Sequence, residues 1–197
     1  MFYKIFFLLF ISTNVIANVY IGSEFSYSQY NSNVTEQYKL NSKGTGYSLI
    51  LGKTIQFIGL EAFYKLKDTT APITHESTSY DRIEKSYTYG LALRVNLQYT
   101  YFKVGYALNH QVGQIQDSSG STVNDERMNA IYKTSTNDNG TTSGLSYGLG
   151  IQYRWSKALR FTLGYEAYKT GRVNENYQQI NIGIIFKLPD LSPDLTE

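Results

Sequence analysis

The chain has 197 residues and a formal charge of +2, with 18 basic and 16 acidic side chains. This balance implies no strongly basic or acidic partner and argues against nucleic acid. There is no cysteine, which removes disulfide frameworks and thiolate metal sites, while nineteen tyrosines suit a protein with two membrane–water interfaces.

In chain order, residues 1–17 read as a secretory signal peptide. Lys4 is their only charge, residues 5–11 are an apolar run, and Val15-Ile16-Ala17 puts small-to-medium residues at the positions a signal peptidase reads. The run is far shorter than the ~20 residues of a transmembrane helix. Cleavage after Ala17 starts the mature chain at Asn18.

Eight strands follow, over residues 19–30, 46–53, 57–66, 87–96, 101–110, 145–154, 159–169 and 177–188. Each alternates apolar and polar side chains. In the fourth, Tyr87, Tyr89, Leu91, Leu93 and Val95 share one face, and Thr88, Gly90, Ala92 and Arg94 share the other. A period of two is the strand signature. About ten residues is what a tilted strand needs to cross a bilayer. The connections 54–56, 97–100 and 155–158 are short, and 170–176 is intermediate. Residues 31–45, 67–86 and 111–144 are long, polar stretches that read as loops. Short turns on one side and long loops on the other are the asymmetry of an outer-membrane barrel, with both termini in the periplasm. Residues 189–197 read as a short Pro-containing acidic periplasmic tail. The expected fold is all-β: an eight-stranded antiparallel up-and-down transmembrane β-barrel over residues 18–188.

The polar face fixes which side looks inward. It carries the glycines Gly22, Gly52, Gly59, Gly90, Gly105, Gly148, Gly150, Gly164 and Gly183, which leave room in a narrow lumen. It also carries Glu24, Glu61, Lys65, Arg94, Lys103, Gln152, Arg154, Arg160 and Glu166. A cation on the lipid face near the midplane costs about 2–4 kcal/mol. Inside, these charges must satisfy one another, so three acids and five bases predict a salt-bridged plug and not an open pore.

The residues 144–168, a Gly-rich hairpin with Arg154 before a tight turn and a Gly164-Tyr-Glu-Ala-Tyr168 ending, resemble the small eight-stranded outer-membrane barrels of the OmpA/OmpX-like type, the porin-family "outer membrane protein β-barrel domain". Asn181, Gly183, Phe186 and Leu188 are spaced like that family's β-signal, which the barrel-assembly machinery reads on the last strand. The resemblance implies a Gram-negative outer membrane, with lipid and lipopolysaccharide as surroundings and external ligands met through the loops. The Pro189 tail departs from relatives that end on an aromatic residue.

No catalytic, metal or cofactor set emerges. Two histidines without cysteine make a poor zinc site. His110, at the top of the fifth strand, is followed by Gln111-Val112 and not by a serine; Ser118, Ser119 and Ser121 come later. Gly44-Thr-Gly46 and Gly148-Leu-Gly150 open no helix and are not nucleotide loops. The best reading is a structural or surface-interaction protein, not an enzyme, whose long loops contact the exterior. The competing readings are a narrow channel for small or hydrophobic solutes, a lipid A-modifying enzyme, and a soluble lipocalin-like barrel, which the polar inner face opposes.

Overall fold

The computed structural model describes residues 18–33, 39–128, 140–169 and 176–189. The expected signal peptide, the centres of three outer connections and the tail beyond Pro189 lie outside the described residues. The strands are β1 (Asn18–Asn33), β2 (Lys39–Ile55), β3 (Ile58–His75), β4 (Thr78–Asn96), β5 (Thr100–Gln116), β6 (Gly140–Arg154), β7 (Leu159–Lys169) and β8 (Asn176–Lys187). Each pairs antiparallel with the next, and β1 pairs with β8 to close the barrel. Closure satisfies the backbone hydrogen bonds within the wall, which hydrocarbon demands because it offers no substitute partner.

The two faces separate as the alternation predicts. Leu49, Leu93, Phe102, Val104, Leu149 and Ile182 point outward and are each more than half exposed. Glu24, Glu61 and Arg94 point inward at 1% exposure. An outward face this apolar would be an association hazard in water; against lipid it matches its solvent. On β3 the apolar belt runs over Ile58, Leu60, Ala62, Tyr64 and Leu66, and on β4 over Tyr87, Tyr89, Leu91, Leu93 and Val95. A nine-residue tilted span gives a band about 25 Å tall. The next outward pair, Asp68 opposite Lys85, marks where lipid ends. At the other end the turns expose Phe57, Leu97, Tyr99 and Trp155, with Trp155 edge-on to Phe161 at 6.3 Å between centroids. These rings suit the periplasmic interface.

The outer connections differ from expectation. Residues 67–86 are not a loop: β3 and β4 continue to a two-residue turn at Glu76-Ser77. Both turn residues have positive φ, 48° and 69°, the type I′ geometry that matches strand twist. Likewise β1 and β2 climb to Asn33 and Lys39, β5 runs to Gln116, and β6 starts at Gly140. Above the membrane the outward face turns polar, so the apolar contrast that marks a strand fades while the strand continues. Pro72 also argues against a strand, but it lies above Lys43↔Thr70, the last β2–β3 pair. There its missing N–H costs no bond to β2.

This projecting sheet has its own core. Ala71, Ile73 and Ile115 cluster with Met128, and Tyr80 and Val123 pack against them. The chain after β5 folds back over the sheet: Val123 donates its N–H to the Ile115 carbonyl at 2.9 Å. Asp125 then caps a short helical turn by accepting from the N–H groups of Arg127 (2.8 Å) and Met128 (3.2 Å). Asp117 accepts from the Ser119 hydroxyl (2.6 Å) and the Ser121 N–H (2.9 Å). Those donors hold its carboxyl below the usual carboxylate range.

Candidate functional site

Two polar clusters fill the lumen. In the lower one, Glu61 is the hub. Its Oε1 accepts from the Tyr20 hydroxyl at 2.7 Å and from Arg94 Nη1 at 3.0 Å, and Lys103 Nζ lies 3.1 Å from its Oε2. Lys103 also reaches Glu24 at 3.5 Å. Arg94 spends its other donors on Asn96 (2.8 Å) and Gln152 (3.3 Å), and its guanidinium lies 3.9 Å from the centre of the Tyr101 ring. Every charge is thus matched where water is scarce, as desolvation requires.

In the upper cluster, Lys65 pairs with Glu166 at 2.5 Å and donates to the Tyr168 hydroxyl. Glu166 also accepts from Asn181 at 3.1 Å and Gln179 at 3.3 Å. Lys67 sits 4.2 Å from the Tyr168 ring centre and 4.7 Å from that of Tyr177. The Tyr177 hydroxyl donates to Glu84, which pairs with Arg82 at 2.7 Å. An upper cavity beside Lys67 and Asn109 measures about 10 Å³, at most room for one water. The glycines are what let these large side chains in. A Cβ on Gly52 would collide with the Tyr20 ring, and one on Gly150 or Gly164 with Tyr101.

The expected lumen charges divide. Glu24, Glu61, Lys65, Arg94, Lys103 and Glu166 lie within the clusters. Arg154 and Arg160 do not join the plug: Arg154 is exposed and Arg160 half-buried. Both line a vestibule of about 560 Å³ at the periplasmic mouth, with Lys187, Arg94, Asn96 and Gln152. They stand at the ends of their strands, where water reaches and no buried acid is required. Lys67, Arg82 and Glu84 went unrecognised because they fall in the stretch read as a loop. The unbroken inward run Lys65, Lys67, Thr69, Ala71 was the signal that could have found them. Tyr20, Tyr101, Tyr168 and Tyr177 also point inward, where an excess of tyrosine suggested the interfaces.

On β8, Asn181 and Gly183 face inward and Phe186 faces lipid. Leu188 lies just past the strand and donates its N–H to the Val19 carbonyl at 2.8 Å. His110 faces outward, its ring 4.5 Å from that of Tyr87 and its Nδ1 3.3 Å from the Thr141 hydroxyl. Among the described residues it forms no ion pair with a carboxylate that could orient it, and the Ser119 hydroxyl donates to Asp117 and lies 3.1 Å from the Ser121 hydroxyl. His75 ends β3 at the hairpin tip. No group of three His, Cys, Asp or Glu that could hold a metal occurs among the described residues. No helix there is long and apolar enough to cross a membrane; this chain crosses with strands.

A closed eight-stranded wall, lipid-matched outside and charged inside, defines a transmembrane outer-membrane barrel. The chain belongs to the family described as "Outer membrane protein beta-barrel domain", whose sequence model matches residues 12–187. That membership puts it in the bacterial outer membrane. Neisserial surface protein A is similar in structure at 15% identity and a TM-score of 0.52, covering 87% of this chain and 99% of that one. Ail, the attachment invasion locus protein of Yersinia pestis, is similar at 16% identity and a TM-score of 0.53, with the same coverage. Ail in complex with the heparin analogue sucrose octasulfate matches at 13% identity, a TM-score of 0.53 and again the same coverage. At these identities the likeness concerns the fold. No curated protein sequence matches the chain.

Proposed function

We propose that this barrel is a membrane anchor for a surface-interaction site carried by the tops of β3, β4 and β5. The observation that carries this reading is the projecting sheet, which rises above the lipid belt and owns a separate apolar core. A filled lumen supports anchoring over transport. The outward charges of this surface constrain the partner. Between residues 68 and 128, Asp68, Glu76, Asp81, Asp125 and Glu126 are exposed, against Lys85 and Arg127. An acidic surface favours a basic or hydrogen-bonding partner, and would repel a sulfated polyanion of the kind seen bound to Ail. The supporting biogenesis is export by residues 1–17, cleavage after Ala17, and recognition of Asn181, Gly183, Phe186 and Leu188 by the assembly machinery.

The test is attachment of cells that display the barrel to host-cell and matrix-coated surfaces. The comparison is a variant in which a four-residue turn joins Asp68 to Lys85. The variant should keep heat-modifiable gel migration and lose attachment. Equal attachment by both forms would sink the reading, as would attachment that heparin coating strengthens.

A further inference from the structure

The periplasmic vestibule holds a charge arrangement that the wall alone leaves unbalanced. Arg154 on β6 and Arg160 on β7 are direct cross-strand partners, and both occupy inward positions. Like charges placed directly opposite destabilise a sheet pair. Among the described residues neither has a carboxylate within ion-pairing distance, and no Asp or Glu lines the vestibule. Arg94, at the inner end, is a further cation, and the acid it meets, Glu61, is already shared with Lys103 and Tyr20. Lys187, at the end of β8, adds a third cation to the lining.

We propose that the periplasmic mouth is an oxyanion-binding site, in which a phosphate or carboxylate group is gripped between Arg154 and Arg160. Arg154 is already oriented for this. Its Nε donates to the Ser156 carbonyl in the adjoining turn at 3.2 Å, which fixes the guanidinium and leaves its terminal nitrogens free to donate. Guanidinium forks match the paired oxygens of phosphate and carboxylate. A bound oxyanion turns the repulsive Arg154–Arg160 pair into a clamp. The vestibule, at about 560 Å³, has the size of a small-molecule site. Three sources could supply the group: a free periplasmic anion, a phospholipid headgroup of the inner leaflet, and the carboxylates of Asp190 and Asp194, which follow Lys187 in the chain.

Binding is read by isothermal titration calorimetry, which needs no reporter group at the site. The refolded barrel in zwitterionic detergent is titrated with inorganic phosphate against chloride at matched ionic strength. The expected result is saturable binding of phosphate, weakened about tenfold or more in Arg154→Gln and in Arg160→Gln, the worth of one charge-assisted hydrogen bond. Heat-modifiable migration confirms that both variants fold. In a second arm, phosphatidylglycerol is added to phosphatidylcholine nanodiscs; a saturable response only there assigns the oxyanion to lipid. In a third, a phosphate response that emerges only in Asp190→Asn/Asp194→Asn assigns it to the chain's own carboxylates. Each of these upholds an oxyanion site. No response in any arm, or one unchanged by both arginine substitutions, overturns it.

Discussion

The centre of the lumen and its periplasmic mouth both carry cations on the inward face of the wall, from β4 and β5 at the centre and from β6 and β7 at the mouth, yet they solve different problems. At the centre, Arg94 and Lys103 are nearly sealed from water and both lean on Glu61. At the mouth, Arg154 and Arg160 face each other without an acid. Gln152 and Arg154 are two residues apart on β6 and both inward, but one completes a dry network and the other meets solvent. Depth decides the difference. Where water is excluded, an unpaired charge carries a large desolvation cost; where water enters, that cost falls and a charge can wait for a ligand.

The contrast predicts unequal responses to mutation. Glu61→Ala strips Arg94, Lys103 and Tyr20 of their shared acceptor. It should lower stability by about 3–5 kcal/mol, the usual cost of breaking a buried pair, read as the urea midpoint in detergent. A shift below about 1 kcal/mol, the worth of an exposed pair, would mean the centre is as wet as the mouth. Arg94→Leu should cost less, about 1.5–3 kcal/mol for lost charged hydrogen bonds, because Glu61 keeps Lys103 and Tyr20. If it costs more than Glu61→Ala, Glu61 is not the hub. Gly52→Ala drives a methyl group into the Tyr20 ring and should destabilise by about 1–3 kcal/mol. Tyr20→Phe, which keeps the ring, should not restore the loss, whereas Tyr20→Ala in the same background should recover part of it. The smallest effect belongs to the mouth, with opposite sign. Arg154→Gln removes one of two facing cations and should raise stability by about 0.2–1 kcal/mol in chloride. A loss of stability in chloride would show that the Arg154 bond to the Ser156 carbonyl outweighs the repulsion from Arg160.

Most of the barrel wall was legible in the sequence because the bilayer imposes contrast. Between Tyr87 and Val95 every outward residue is apolar, so period and register follow together. Above Asp68 and Lys85 the outward face meets water, and the contrast disappears. Residues 71–75 kept alternating, with Ala71 and Ile73 inward, but Thr70, Pro72 and Thr74 look like loop residues. The inward direction of the charges was equally legible, since lipid would penalise the alternative. Their partners were not. Lys103 reaches Glu24 from strands on different parts of the ring, 79 residues apart, and which charges meet depends on stagger around the closed wall. Nor could alternation show how close a charge lies to a strand's wet end, which separates Arg154 and Arg160 from Arg94.

Pro72 has a consequence beyond its own strand. Below it, ring closure leaves no free edge in the bilayer. Above Thr70, β3 has no β2 neighbour among the described residues and presents an open edge to the cell exterior. A row of free N–H and C=O groups there would template the addition of a strand from another molecule. Proline removes a donor from that row, and on the other flank the fold-back through Val123 occupies the edge of β5. The crown is thereby a poorer template for an added strand than an unprotected edge of the same length. The closed ring removes every edge within the lipid, and above it one proline and the Gln116–Thr122 bridge blunt the two that reappear.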